Sequence, residues 1–198
     1  NTLLSYNIPT VFLDFYSSRI DVETVLSDNF FGAYTLTNYL IANGHRNIGF
    51  VGTVNSTSSI QDRYLGYYKS LIENRIPLND KWVIDDRNED GLMYSEFALP
   101  EEMPTAFVCN CDETAYSLIN QLKLKGCSVP DDISVVGYDN HIYSTIANPR
   151  ITTIDVNSYR MSSEAVEIII KKIRDNNYKC GRILVTGKLI ERDSVKKI

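Results

Sequence analysis

Short apolar runs alternate along this chain with longer stretches of helical periodicity. Residues 8–14 form an apolar run entered through Pro9 and ended by an acid, the pattern of a strand with Asp14 at its C-terminal tip and Phe15 and Tyr16 at the same edge. Residues 25–29 make a second, shorter apolar step that ends in helix-capping residue types. From residue 31 to 42 the spacing turns helical, with Ala33, Leu36 and Leu40 on one stripe, and Asn43-Gly44 supplies a left-handed stop. Further strands are predicted at residues 47–51, 82–84, 105–108, 133–136 and 151–154. Helices are predicted at 60–73, 112–125 and 161–174, with a weaker one at 92–98. Residues 183–185 and 188–190 read as a terminal β segment, with a hairpin around Gly187 as one arrangement. Strand–helix units of about 25–30 residues imply βαβ topology and a mainly parallel sheet, an α/β fold.

One stretch, residues 129–140, organises the rest. Pro130 and two acids lead into Ile133, Val135 and Val136, a β-branched run of buried-strand length, and Gly137 ends it. Asp139 and Asn140 then stand at the carboxyl end of that strand, where open parallel sheets bind ligands. A solvated turn acid is the competing reading of Asp139. The Ser/Thr/Asn-rich loop 53–59 lies between a strand and a helix, a position that carries binding groups. Arg63 falls in the first turn of the following helix, where a cation opposes the dipole, which suggests an anionic or hydroxyl-rich partner. An exposed surface arginine is the alternative.

Composition narrows the function. The 198 residues are 43% apolar and 23% charged, with a net charge of −5 and no basic tract. A segment that grips a phosphate backbone needs clustered Lys and Arg, so this one is not expected to do so. Four cysteines without a Cys-x-x-Cys pair, and only two histidines, do not make a structural zinc site. Reduced thiols in a cytoplasmic protein are expected. There is no secretory, membrane-length or lipidation signal, and no cofactor motif. The chain begins at Asn1 without a methionine, so a fragment or processed product is expected.

No catalytic constellation is legible. There is no phosphate-binding loop and no Gly-x-Ser-x-Gly elbow. His45, behind Gly44, reads as a capping or packing residue, and His141 as at most a ligand contact. What remains is a set of polar groups at successive strand tips: Asp14, Asp28, Ser59 with Arg63, Asn88, Cys111-Asp112 and Asp139. Carboxylates accept from hydroxyls and a guanidinium donates in a fork, which suits a polyhydroxylated ligand, and Phe15 or Tyr16 could pack on a sugar face. Binding is favoured over catalysis, so an enzyme is not expected.

The ordered motifs resemble a known family. They run Ile8-Pro9…Leu13-Asp14, Asp28-Asn29-x-x-Gly32-Ala33, Leu40-Ile41-x-x-Gly44-His45-Arg46-x-Ile48 and Arg63-x-x-Gly66-Tyr67. Pro104-Thr105-Ala106, Asp112-x-x-Ala115, the 129–140 stretch, Pro149-x-Ile151-Thr152-Thr153-Ile154 and Leu189-Ile190-x-Arg192-x-Ser194-Val195 follow. Nearly the whole chain is similar to the effector-binding core of lactose/galactose-repressor (LacI/GalR) type transcription regulators. The resemblance implies a type I periplasmic-binding-protein fold with two Rossmann-like lobes and parallel sheets, crossovers falling near Ser27, Thr153 and Lys179. It implies a C-terminal lobe from residues 27–153 and 179–198. Residues 1–26 and 154–178 would be only part of the N-terminal lobe, with the DNA-binding helix-turn-helix outside this chain.

Carried over by position, Asp14 and Phe15 match cleft residues of the N-terminal lobe, Ser59 and Arg63 match hydroxyl and arginine contacts, and Asp139 matches the acid that hydrogen-bonds effector. Asn88 falls where relatives place a stacking aromatic, and Cys111 where they place Asn or Gly; Asp112 is expected to cap its helix. The implied function is a cytoplasmic, homodimeric bacterial regulator that binds a sugar or small polar metabolite and, elsewhere in the protein, operator DNA. Dimer contacts would use residues 116–123 and 141–145. The alternatives are a transport-associated sugar-binding protein of the same fold and, from its cleft acids alone, a sugar hydrolase.

Overall fold

The computed structural model describes residues 8–17 and 19–198. In chain order the elements are β1 (Phe12–Leu13), β2 (Thr24–Ser27), α1 (Asn29–Ala42), β3 (Ile48–Val51), α2 (Ser58–Glu73), a 3₁₀ turn (Asp80–Trp82) and β4 (Val83–Ile84). Then come β5 (Ala106–Cys109), α3 (Asp112–Leu124), β6 (Ser134–Val136), a short α4 (Tyr143–Ile146), β7 (Thr153–Asp155), α5 (Ser158–Arg174), β8 (Arg182–Val185) and β9 (Lys188–Ile190). They form two compact units, the described residues up to Asp28 with Val156–Gly187, and Asn29–Asp155 with Lys188–Ile198.

In the smaller unit β1, β2 and β8 form a parallel sheet in that order. Met161, Ala165 and Ile168 lie at i, i+4 and i+7 of α5 and bury against Val25 and Val185. Asn157 caps α5, its side chain accepting from the Arg160 amide, while Lys171, Lys172 and Arg174 occupy the last turn, where cations complement the dipole.

The larger unit holds a parallel sheet of order β4-β3-β5-β6. Its strands alternate between two cores, as the pleat requires. Phe50 packs on Tyr64 and Tyr67 of α2. Val51, Phe107, Cys109 and Val135 instead join Ala115, Leu118, Ile119 and Leu122 of α3. Beyond β6, single parallel bridges join Val136 to Thr152 and Asp139 to Asp155, and β9 closes antiparallel on β7. Among the described residues no helix is long and apolar enough to cross a membrane.

Three expectations are corrected. Residues 92–98 form no helix. The segment is short, follows Gly91 in the left-handed region with φ of 81°, and has Pro100 behind. Its backbone instead folds back on the polar loop, the Tyr94 amide donating to Asp86 O at 2.9 Å, and Gln121 of α3 brackets Phe97. β8 and β9 do not make a hairpin, because β8 pairs in parallel with β2 and β9 with β7. Residues 179–187 therefore belong with the smaller unit, and the chain returns to the larger one at Lys188, not near Lys179.

Candidate functional site

Arg63 is the centre of the polar edge of the larger unit. Thr57 caps α2, accepting from the Ile60 amide, which starts the helix so that Arg63 points inward from its second turn. The residue is only 6% exposed, so the surface-arginine reading is wrong. Its Nε donates to Asn29 Oδ1 at 2.7 Å, Nη1 to the Asn110 carbonyl at 2.5 Å and Nη2 to Asp139 Oδ1 at 3.1 Å. The guanidinium carbon lies over the Tyr138 ring, 3.9 Å from its centroid. A buried cation is tolerable only when paired and hydrogen-bonded, and three segments supply that here: the start of α1 and the stretches after β5 and β6.

Asp139 lies one residue past Tyr138, and its side chain remains 36% exposed. Its amide donates to Ile154 O at 3.0 Å. Arg192 donates through Nη2 to Asn140 Oδ1 at 2.7 Å and through Nη1 to Ile151 O at 2.8 Å, anchoring the next residue. The carboxylate is thus fixed through one oxygen and presented to solvent.

A second buried carboxylate holds the loops beneath. Asp86 accepts from the Thr53 amide, from Arg87 through two nitrogens, from Asn110 Nδ2 at 2.6 Å and from the Thr114 hydroxyl at 3.0 Å. Desolvation would raise its carboxyl, but the bonds from Arg87, Asn110 and Thr53 outweigh it and hold it down at about 2. It ties the strand tips of β3, β4 and β5 together and sets the Asn110 segment whose carbonyl receives Arg63. Sequence reasoning passed over it because Asp85-Asp86 reads as part of a solvated loop.

Asp112 does not cap α3 as expected. Cys111 is the N-cap, its Sγ accepting from the Thr114 amide at 3.5 Å, and burial pushes its thiol up, so it stays protonated. Asp112 is fully buried and reaches across to accept from the His141 amide at 2.7 Å. Burial drives its carboxyl up to about 7, against the opposing pull of Thr153 and the His141 amide.

Of the expected site residues, Arg63 and Asp139 meet directly, and Cys111 lies next to the Asn110 carbonyl that Arg63 grips. Ser59 sits on α2 one turn before Arg63. The Asn88 side chain closes its own turn, accepting from the Leu92 amide at 2.9 Å. In the smaller unit Asp14, with φ of 62°, donates its amide to Val25 O, and half-exposed Phe15 stacks on Phe12 at 4.4 Å. His45 is buried between the Thr105 hydroxyl and Lys196 O, a packing role. Asn29, Asn110, Tyr138 and Arg192 are the partners that sequence reasoning left out of the site, although all but Asn110 stand inside its motifs.

The periplasmic binding protein-like domain family matches residues 37–195. The HTH-type transcriptional repressor PurR of Vibrio parahaemolyticus is 29% identical over 195 residues, covering 97% of this chain and 58% of its own length. The chain thus spans little more than half of that curated relative. A solved LacI-type transcription regulator from Bifidobacterium animalis subsp. lactis is 26% identical with a TM-score of 0.81, covering 95% of this chain and 72% of its own. A LacI family regulator from Enterococcus faecium, solved with bound ribose, has a TM-score of 0.85 at 22% identity over 99% of this chain and 74% of its own, a likeness of fold.

Proposed function

The chain belongs to the periplasmic-binding-protein-like family, as an effector-binding core of the LacI/GalR type, and on that premise we propose that it senses a small polar metabolite of the sugar class for a transcription regulator. The observation that carries this is the Arg63–Asp139 pair, a buried guanidinium holding one oxygen of a carboxylate that is otherwise open. Such a carboxylate accepts from ligand hydroxyls without the desolvation of a free anion. The larger unit is read as the C-terminal lobe of the effector-binding domain and the smaller as part of the N-terminal lobe. Operator DNA is contacted by a helix-turn-helix outside this segment, whose own net charge of −5 and lack of a basic tract suit sensing rather than phosphate binding. The protein acts as a cytoplasmic homodimer, binds rather than turns over its ligand, and lets effector occupancy shift operator affinity. The repressor relatives favour this over a transport-associated sugar-binding protein.

A thermal-shift screen of the intact protein, starting from ribose and extending to other sugars, tests the reading. A sugar that stabilises the wild type should lose roughly tenfold to a hundredfold in affinity in Asp139→Ala, the loss expected for one charge-assisted hydrogen bond. Unchanged affinity would overturn the site. A footprint with no protected pseudopalindrome would overturn the regulator.

A further inference from the structure

Asp139 carries its exposed carboxylate on a strained backbone, with φ of 100° there and 54° at Asn140. Non-glycine residues in such regions persist only where neighbours over-determine them. Arg63, the Ile154 carbonyl and Arg192 are three of those neighbours. The Thr153 hydroxyl, which accepts from the Asn140 amide, is another, and so is Asp112, whose contacts bracket Asp139 in sequence. Its amide donates to Tyr138 O at 2.9 Å and its Oδ2 accepts from the His141 amide at 2.7 Å.

The Asp112 side chain is fully buried, and its Oδ1 has no hydrogen-bond partner among the described residues. That oxygen sits 2.2 Å from where a β-carbon on Gly137 would lie, so the carboxyl presses onto the bare Cα of the residue that opens the loop. Helix capping does not account for it, since Cys111 performs that role. A buried carboxylate with an unsatisfied oxygen is expensive, and it persists here where it grips the one loop that carries the exposed acid.

We propose that Asp112 is a positioning residue, which locks the Asp139 loop through the His141 amide and releases it when it takes up a proton. An ionised oxygen is roughly twice as strong an acceptor as a neutral one, so the lock is tight in the charged form and slack in the neutral form. The groups that face it are Thr153 from β7, Asp139 and the His141 amide from the loop, Arg192 after β9, and Cys109 at the end of β5. Asp139 disfavours the charged Asp112 while Arg192 and Thr153 favour it, and burial places the balance near neutral pH. The consequence for effector binding rests on Asp139 being the effector contact; the lock itself does not.

Backbone ¹⁵N labelling of histidine alone tests the lock without any effector, because the sequence has only His45 and His141. The His141 ring is followed in the same sample through its Cε1–H signal, and Asp112→Asn shows what the ring alone contributes to the amide shift. In the wild type the His141 amide proton should shift with a midpoint near neutrality, moving downfield as pH rises, while the His45 amide stays still. Asp112→Asn, whose carboxamide oxygen still accepts, should keep the amide protected from exchange but abolish the pH step. Asp112→Ala should speed exchange of the His141 amide about tenfold. A pH step that survives in Asp112→Asn overturns the proposal, whether or not Asp112→Ala folds. So does a wild-type His141 amide that shows no pH step.

Discussion

Replacing Gly66 by alanine puts the packing that aims Arg63 to a direct test. In the middle of a helix, alanine is normally better than glycine by about 1 kcal/mol. Here a β-carbon on Gly66 would lie 2.1 Å from Phe30 O and 3.0 Å from both Phe30 C and Tyr34 N. A carbon–oxygen contact needs about 3.3 Å, so α1 must withdraw by about 1 Å, and a backbone carbonyl cannot rotate aside as a side chain would. That withdrawal also pulls Asn29, the first residue of α1, away from Arg63 Nε, which it now meets at 2.7 Å. Overpacking of this kind outweighs the propensity gain, and we expect a net loss of about 2–3 kcal/mol. Urea unfolding followed through the single tryptophan, Trp82, reports on the larger unit. With a slope of about 2 kcal/mol/M, the midpoint should fall by about 1 M. Gly126→Ala is the control. It has φ of +81° and nothing within 4 Å of the new carbon, so backbone strain alone should cost about 1 kcal/mol. A Gly66→Ala midpoint equal to or above that of the wild type would refute the reasoning.

Three further outcomes follow from the buried charges. Asp86 is held at about 2 against an ordinary 3.8, so its stabilisation is full above pH 4 and is lost as pH falls through 2; that gap is worth about 2 kcal/mol. Acid unfolding of Asp86→Asn should therefore lack that part of the slope. For Asp112 the sign is opposite. Raised from 3.8 to about 7, it makes the folded chain bind more protons than the unfolded one in between, so stability falls as pH rises across that window, by about 4 kcal/mol at most. Thermal melts of Asp112→Asn between pH 4 and 8 should be correspondingly flatter than those of the wild type. Arg63→Lys keeps the charge but cannot reach Asn29, Asn110 and Asp139 at once; a loss of about 2–4 kcal/mol is expected by urea unfolding, and a loss below about 0.5 kcal/mol would contradict the fork geometry.

Periodicity by itself located nearly every strand and helix, because an element's buried face repeats within its own residues: the stripe of Ala115, Leu118 and Leu122 is local information. The acid at the tip of β6 and the arginine of α2 were legible for the same reason, each standing at a fixed offset from an apolar run. The family resemblance went further, because spaced motifs encode a topology that single elements do not. The partners of the polar groups were decided by tertiary structure alone. Arg63 and Asp139 are 76 residues apart, and Asp86 joins residues 24 to 33 positions away. Nothing local distinguishes Asp86, buried beneath the site, from its exposed neighbour Asp85. Nor does anything local distinguish a helix-capping Asp112 from one that reaches across to the next strand's loop. Strand pairing was hidden likewise: β8 and β9 are adjacent in sequence with compatible patterns, yet each finds a parallel or antiparallel partner elsewhere. Hydrophobic faces are written into the chain's own repeat. Where a carboxylate finds its donors depends on which loops the packed sheet brings together, and that is set only when the fold closes.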